Sequence, residues 1–206
     1  MKTPRFIYFD MGMVLLEFSV ERMVRQMAAL SGAAAEQVKK ILFDSGLMPR
    51  YEAGKISTAE FYEVYCERIG VRPDYDALCH AGSDIFTINV PMLPIVAQLC
   101  QAGYTLGVLS NTCDCHWQYC TKHYRFLNEC FAVYALSFEI KAAKPDRAIF
   151  MAAAELAHCR PEEIFFVDDV AGHVEGAKAA GIDAVVYTSA AQVAAELRMR
   201  GVRFNY

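Results

Sequence analysis

Five short apolar segments, separated by polar breaks, limit the possible folds of this chain more than any other feature. They lie at 5–9, 104–109, 131–136, 164–167 and 184–187. Near-continuous Val, Ile and Phe runs of this length are typical of strands buried on both faces of a parallel sheet. Helix-period segments follow at 92–102, 114–127, 146–158, 171–180 and 190–200. The alternation predicts an α/β fold built on a doubly wound, Rossmann-like parallel sheet.

A long interval after the first apolar segment interrupts this rhythm. Residues 16–88 contain no convincing strand and are interpreted as helices at 20–30, 34–43, 58–69 and 74–86. Ser57 and Glu60 have the spacing of a capping box, which predicts the start of the third of these helices. We therefore predict a core of residues 1–15 and 89–206 and a small α-helical cap of residues 16–88. The cap would cover the carboxyl edge of the sheet, where ligands bind in open α/β folds.

Composition excludes several functional classes. The net charge of −4 argues against non-specific nucleic-acid binding, which needs a basic surface. No apolar run approaches the ~20 residues that span a bilayer, so no membrane partner is expected. The first ten residues lack the pattern of a secretory signal. We therefore expect a cytoplasmic protein, a monomer or small homo-oligomer, whose eight cysteines are reduced thiols.

Short polar groups follow four of the predicted strands. Asp10 ends the first strand, and Ser110-Asn111-Thr112 ends the second. Lys144 comes after the third strand, and Asp168-Asp169 ends the fourth. Because the carboxyl ends of parallel strands meet at one edge of the sheet, these groups should converge there. Together they would supply a carboxylate nucleophile, a hydroxyl with backbone N–H groups, a cation and a pair of carboxylates.

This set of motifs resembles that of the haloacid dehalogenase (HAD) superfamily. The four motifs begin at Asp10, Leu109, Lys144 and Phe166, occur in the family's order, and have a cap insertion between the first two. The resemblance covers essentially the whole chain. The segment Tyr-Glu-Ala-Gly-Lys-Ile-Ser at 51–57 is also similar to part of the family's small helical caps. The sequence alone does not decide whether cap residues shape the substrate pocket.

The resemblance implies the chemistry of a Mg²⁺-dependent phosphatase acting on a small phosphorylated substrate. Asp10 would attack phosphorus and form an aspartyl-phosphate. The resemblance assigns Mg²⁺ to Asp10, the carbonyl of Gly12 and Asp169, with Asp168 in or next to the coordination shell. It assigns the phosphoryl oxygens to Ser110, Asn111 and Lys144, and Lys144 would also neutralise charge on Asp10.

One position departs from the pattern of the superfamily's phosphatases. Most of them carry a second Asp two residues after the nucleophile, as general acid and base, whereas this chain has Gly12. Such proton transfer is typically worth ~10²–10⁴ in rate. Three functions stay open. The first is hydrolysis of an ester that leaves easily, such as the sugar phosphates of the similar α-D-glucose-1-phosphate phosphatases. The others are a catalytically weak binding or regulatory protein, and a 2-haloacid dehalogenase, which needs no metal and would not explain Asp168-Asp169.

A cluster of cysteines and histidines follows the second motif. Its members lie along one predicted helix face: Cys113, His116, Cys120 and His123. One helix face offers two adjacent ligands and not four tetrahedral ones, so zinc would need partners from elsewhere. His116 lies about one turn after the motif and could reach the substrate, although a surface position is the simpler interpretation. Lys141 is an alternative to Lys144, but it lacks the following proline and suits a solvated loop.

Overall fold

The computed structural model describes residues 3–205 and contains a five-stranded parallel sheet with helices on both faces. The strands, in chain order, are β1 (Phe6–Phe9), β2 (Leu16–Phe18), β3 (Phe86–Ile88), β4 (Thr105–Ser110), β5 (Val133–Leu136), β6 (Ile164–Asp168) and β7 (Asp183–Val186). The sheet has the order β5-β4-β1-β6-β7, and β2 pairs with β3 as a separate antiparallel ribbon. The order with β1 in the centre confirms the predicted doubly wound α/β fold.

Twelve α-helices occur in the described part of the chain. Those of the insertion are α1 (Val20–Ser31), α2 (Ala35–Lys39), α3 (Leu47–Glu52), α4 (Thr58–Ile69) and α5 (Tyr75–Ser83). Those of the remaining chain are α6 (Leu93–Gln101), α7 (Asp114–His123), α8 (Phe126–Glu129), α9 (Ser137–Ile140), α10 (Arg147–Leu156), α11 (Ala171–Ala179) and α12 (Ala190–Met199). None of the described helices is long and apolar enough to cross a membrane.

Strand β1 shows why the sheet strands are apolar throughout. Ile7 and Phe9 belong to one hydrophobic cluster, whereas Phe6 and Tyr8 belong to a second cluster on the other face. All four side chains are buried because successive strand residues point to opposite faces and helices cover both faces. The Tyr8 hydroxyl is also satisfied, since it donates to the carbonyl of Ala153 at 2.8 Å.

The strand register brings the candidate site residues to the same edge. Phe9 lies opposite Val108 of β4 on one side and opposite Val167 of β6 on the other. The residue that follows Phe9 is Asp10, and the residue that follows Val167 is Asp168, so the two carboxylates leave neighbouring strands at one level. Parallel pairing therefore explains how residues more than 150 positions apart meet.

The insertion differs from its predicted structure at several points. The prediction that residues 16–88 contain no strand was wrong, because β2 and β3 form a ribbon at the two ends of the insertion. Each of these strands has only three residues, which is too short for a strand pattern, and the pairing partners are far apart in sequence. Helix 74–86 is shorter than predicted, since Phe86 already belongs to β3, and helix 34–43 changes to a π-helical turn at Lys40–Asp44.

Other boundaries were right or differ locally. The helix start at Ser57 is confirmed, because Ser57 and Glu60 form a complete capping box. Predicted helix 114–127 is two helices, α7 and α8, with Tyr124 ending the first. The short helices α3 and α9 were not predicted, because neither is long enough to show a period. The domain boundaries at 15 and 89 stay a prediction. The Asn89 N–H donates to the Leu15 carbonyl at 3.1 Å, so the two points where the chain passes between the predicted core and the predicted cap lie side by side. The predicted core also includes residues 1, 2 and 206, which lie outside the described residues.

Candidate active site

Asp10 lies directly after the central strand and is almost completely buried, with 7% of its surface exposed. Its backbone N–H donates to the Val167 carbonyl at 2.9 Å. Its carboxylate accepts the backbone N–H of Met11 at 2.7 Å and forms an ion pair with the Lys144 ammonium at 3.0 Å. Burial, opposed by Lys144 and reinforced by the charge of Asp168, raises the pKa of Asp10 to about 6. The structure therefore places the candidate nucleophile in contact with the charge of Lys144 and near the opposite charge of Asp168.

Lys144 joins the two buried carboxylates. Its side chain is fully buried, and its ammonium lies 2.6 Å from Asp168, 3.0 Å from Asp10 and 2.9 Å from the Leu109 carbonyl. Its backbone is fixed as well, because Asn111 accepts the Lys144 N–H at 2.7 Å and donates to the Lys144 carbonyl at 2.9 Å. Lys141, the alternative lysine, is exposed. Asn111 thus positions Lys144, and its contact with phosphate stays a prediction.

The two aspartates after β6 have different environments. Asp168 is fully buried; one oxygen is bound by Lys144, and the other accepts the Val170 N–H at 2.8 Å and lies 3.1 Å from His173 Nδ1. Burial opposes ionisation of Asp168, but His173 and Lys144 outweigh it and hold its pKa below the ordinary value. Asp169 is half-buried, and burial followed by the charge of Asp168 raises its pKa.

His173 is a site residue that sequence reasoning missed. The donor atoms of Asp10, Asp168 and His173 lie within 4.8 Å of one another, which makes them the candidate metal-binding group among the described residues. Asp169 and the Gly12 carbonyl were predicted instead. The Gly12 carbonyl accepts the Val14 N–H at 2.6 Å in a tight turn, which leaves it one lone pair. The available signal was a histidine in the first turn of the helix after the fourth motif.

A cavity opens beside these groups, between the sheet edge and the insertion. Gly12, Ser110, Asn111 and Thr112 line its sheet end, and the Thr112 hydroxyl is buried with no hydrogen-bond partner in the described part of the chain. Apolar side chains line most of the remainder, among them Met11, Phe18, Met23, Phe43, Met48 and Phe86.

Among the described residues, the cluster of Cys113, His116, Cys120 and His123 is not part of a group that could hold a metal ion. Its two cysteines are free, like the other six. His116 is half-buried rather than on the surface, and its Nε2 lies 3.1 Å from the Gly82 carbonyl of α5. Burial lowers the pKa of His116 to about 4, so this side chain is neutral near pH 7. His116 lines the cavity and joins the insertion to the sheet layer.

Comparisons with known proteins agree with this geometry. The model of the haloacid dehalogenase-like hydrolases matches residues 7–181. A HAD family enzyme from Bacteroides thetaiotaomicron, solved in complex with magnesium and inorganic phosphate, is 27% identical; the match covers 89% of this chain and 94% of that one, with a TM-score of 0.79.

Two further solved structures share the fold. A HAD-like family hydrolase from Porphyromonas gingivalis is 24% identical over 96% of this chain and 98% of its own, with a TM-score of 0.79. The L-2-haloacid dehalogenase from Xanthobacter autotrophicus is 20% identical over 98% of this chain and 85% of its own, with a TM-score of 0.62. Strand order, the four strand-end motifs and the family match lead to one conclusion: the chain belongs to the haloacid dehalogenase-like hydrolases.

Proposed function

We propose that this hydrolase is a Mg²⁺-dependent phosphatase that cleaves small phosphomonoesters through an aspartyl-phosphate on Asp10. The observation that carries the proposal is the cluster of Asp10, Lys144 and Asp168 at the carboxyl edge, next to a cavity. The similar Bacteroides enzyme, solved with magnesium and inorganic phosphate, supports the same chemistry. The predicted small phosphorylated substrate would place its phosphoryl group at the sheet end of the cavity, which Ser110, Asn111 and Thr112 line.

The charges at the edge suit a divalent cation. Three carboxylates, those of Asp10, Asp168 and Asp169, face one compensating ammonium, and the pKa of Asp10 and of Asp169 is raised. Carboxylate and carbonyl oxygens are the ligands that Mg²⁺ prefers. Asp10, the Gly12 carbonyl and Asp169 would hold it. Both oxygens of Asp168 are already engaged, which favours a place next to the coordination shell.

Each of the chain's own residues then has a physical task. Bound Mg²⁺ would offset the repulsion between the Asp10 carboxylate and a phosphate dianion. Lys144 holds Asp10 ionised and in place, and its charge also faces the transferring phosphoryl group. Ser110 and the backbone N–H groups that follow would orient the phosphoryl oxygens, since phosphoryl transfer depends mainly on positioning and electrostatics. Water then hydrolyses the aspartyl-phosphate and frees Asp10.

The cavity lining favours an apolar organic group over the sugar suggested by the resemblance. Most residues that line the cavity are apolar, chiefly Met and Phe, and these offer a sugar hydroxyl few partners. A buried hydroxyl without a partner costs about 1–3 kcal/mol. We therefore expect a higher kcat/KM for cyclohexylmethyl phosphate than for glucose 6-phosphate, which share a six-membered ring on a primary alcohol. A higher kcat/KM for glucose 6-phosphate would instead support the hypothesis that the substrate is a sugar phosphate.

The first experiment is phosphate release from p-nitrophenyl phosphate with and without Mg²⁺. We expect release that needs Mg²⁺ and is lost in Asp10→Asn, because an amide cannot form the acyl-phosphate. Asp44→Asn is the matched control, since Asp44 is exposed. Folded protein without phosphate release would contradict the proposal, and chloride release from 2-chloropropionate would then separate a dehalogenase from a binding protein.

A further inference from the structure

The cavity contains one carboxylate whose place the phosphatase mechanism leaves unexplained. Glu52 is the last residue of α3 in the insertion, and it lines the cavity together with Gly12 and Ser110. The Glu52 side chain has neither a hydrogen bond nor an ion pair among the described residues, although it is largely shielded from solvent. Partial burial without a partner disfavours the charged form of a carboxylate, which makes such a group at a cavity wall a candidate for proton transfer.

Three contacts fix the end of α3 against the sheet layer and thereby place Glu52. The fully buried Ser137 hydroxyl donates to the Glu52 carbonyl and also lies 3.0 Å from the Thr112 carbonyl. The Tyr51 hydroxyl accepts the backbone N–H of Cys115 at 3.2 Å. Gly54 packs so closely on the carbonyl of Phe138 that a Cβ atom there would lie 2.1 Å from it. The side chain at position 52 is therefore presented to the cavity by a rigid segment.

We propose that Glu52 is the general acid and base of this enzyme, in place of the aspartate that most phosphatases of the superfamily carry at the position of Gly12. This inference rests on the phosphatase function proposed above. The carboxyl group enters the same cavity from the cap side instead of from the loop after β1. A group on the cap can serve this role because proton transfer requires hydrogen-bond reach to the leaving oxygen and not a particular position in the chain.

The electrostatic surroundings suit this role. Burial, followed by the charge of Asp10, raises the pKa of Glu52 to about 7. A general acid–base group works best with a pKa near the working pH. His116, which also lines the cavity, is neutral near pH 7, and its Nε2 is occupied by the Gly82 carbonyl. Among the described residues that line this cavity, Glu52 is the remaining titratable side chain.

The proton balance closes over the two steps. As the Asp10 carboxylate attacks phosphorus, the bond from phosphorus to the ester oxygen breaks, and protonated Glu52 gives its proton to that oxygen, so the alcohol leaves neutral. In the second step, water attacks the phosphorus of the aspartyl-phosphate and loses a proton to the Glu52 carboxylate. The bond between phosphorus and Asp10 breaks, and both side chains return to their starting forms.

The test compares two esters of similar shape and different leaving groups. p-Nitrophenyl phosphate releases a stable phenolate, whereas p-nitrobenzyl phosphate releases an alcohol that needs protonation. For Glu52→Gln we expect kcat/KM to fall about 10²–10⁴-fold on the benzyl ester and less than about tenfold on the phenyl ester. If Glu52 had a purely structural role, the substitution would lower kcat/KM equally for both esters. Equal losses, or no loss on the benzyl ester, would overturn the proposal.

Controls separate this inference from the proposed function and from misfolding. Glu67→Gln removes an exposed carboxylate of α4 in the same cap and should leave kcat/KM unchanged for both esters. Glu52→Asp keeps the acid and should retain more activity on the benzyl ester than Glu52→Gln does; equal losses in the two variants contradict the role. If the unaltered enzyme, loaded with Mg²⁺, releases no phosphate from either ester, the proposed function fails, and not Glu52 alone.

Discussion

The ammonium group of Lys144 opposes the effect of burial on the ionisation of the two carboxylates beside it. It is fully buried and lies within 3.0 Å of both Asp10 and Asp168. The low dielectric of the interior makes such a pair strong when complete and costly when one partner is removed. We therefore expect a variant of Lys144 to affect both folding and the proposed chemistry.

Replacement of Lys144 tests both roles. Lys144→Met leaves two buried carboxylates without their cation, so we expect the free energy of unfolding to fall by about 3–5 kcal/mol at pH 7.5. Phosphate release should be lost. Urea denaturation without Mg²⁺ measures the first effect. Lys141→Met is the matched control and should change stability by less than about 0.5 kcal/mol, because Lys141 is exposed. Similar stabilities for the two variants would contradict this account.

At the scale of secondary-structure elements, the site depends on how α3 docks on α9. The contact between Gly54 and the Phe138 carbonyl leaves no room for a side chain. Gly54 also has a positive φ of 63°, which disfavours every residue with a Cβ atom. A displacement of this contact would move the nearby end of α3, and with it Glu52, away from the cavity.

Two glycine variants separate steric overlap from backbone strain. Gly46, at the start of α3, has a φ of 70°, but nothing lies within 4 Å of a Cβ atom built there. Gly46→Ala should therefore cost only about 1 kcal/mol of stability. Gly54→Ala should cost at least 2 kcal/mol more and lower kcat/KM, because backbone must move. Thermal unfolding and ester hydrolysis measure the two effects, and equal behaviour of the variants would show that the docking contact is unimportant.

At the scale of the whole molecule, the carboxyl edge couples folding to pH and to cation binding. The raised pKa of Asp10, about 6, means that the folded state holds this proton more tightly than the unfolded chain does. The metal-free protein should therefore lose stability as the pH rises from about 4 to about 6, where Asp10 ionises in the folded state. A cation bound to the ionised carboxylate would restore that stability.

The coupling predicts a pH-dependent effect of Mg²⁺ on the melting temperature. We expect 10 mM Mg²⁺ to raise the Tm more at pH 8, where Asp10 is ionised, than at pH 5, where the proton competes with the cation. Differential scanning fluorimetry with EDTA as the metal-free reference measures the shift. Asp169→Asn should reduce the shift at pH 8. The same Tm shift at both pH values would contradict the role of Asp10 as a ligand.

Local sequence determined the layers of the fold and which polar groups end the strands. Buried parallel strands must be apolar on both faces, so their positions can be read from the chain, and Asp10, Ser110 and Asp168 follow directly. The family and its four motifs could be recognised for the same reason. The three-residue strands β2 and β3 could not, because their pairing joins distant segments and leaves no local period.

Tertiary structure alone decided how the side chains at that edge divide their roles. Three features depend on contacts between distant segments: His173 lies near Asp10, Asn111 binds the Lys144 backbone, and Glu52 lines the same cavity as Gly12. The same holds for the raised pKa of Asp10 and the lowered pKa of Asp168, since burial and the nearest charge set each of them. The ends of the strands depend on residues that are adjacent in the sequence. The hydrogen-bond and ion-pair partners of a side chain, and the dielectric around it, depend on residues that are adjacent only in the folded structure.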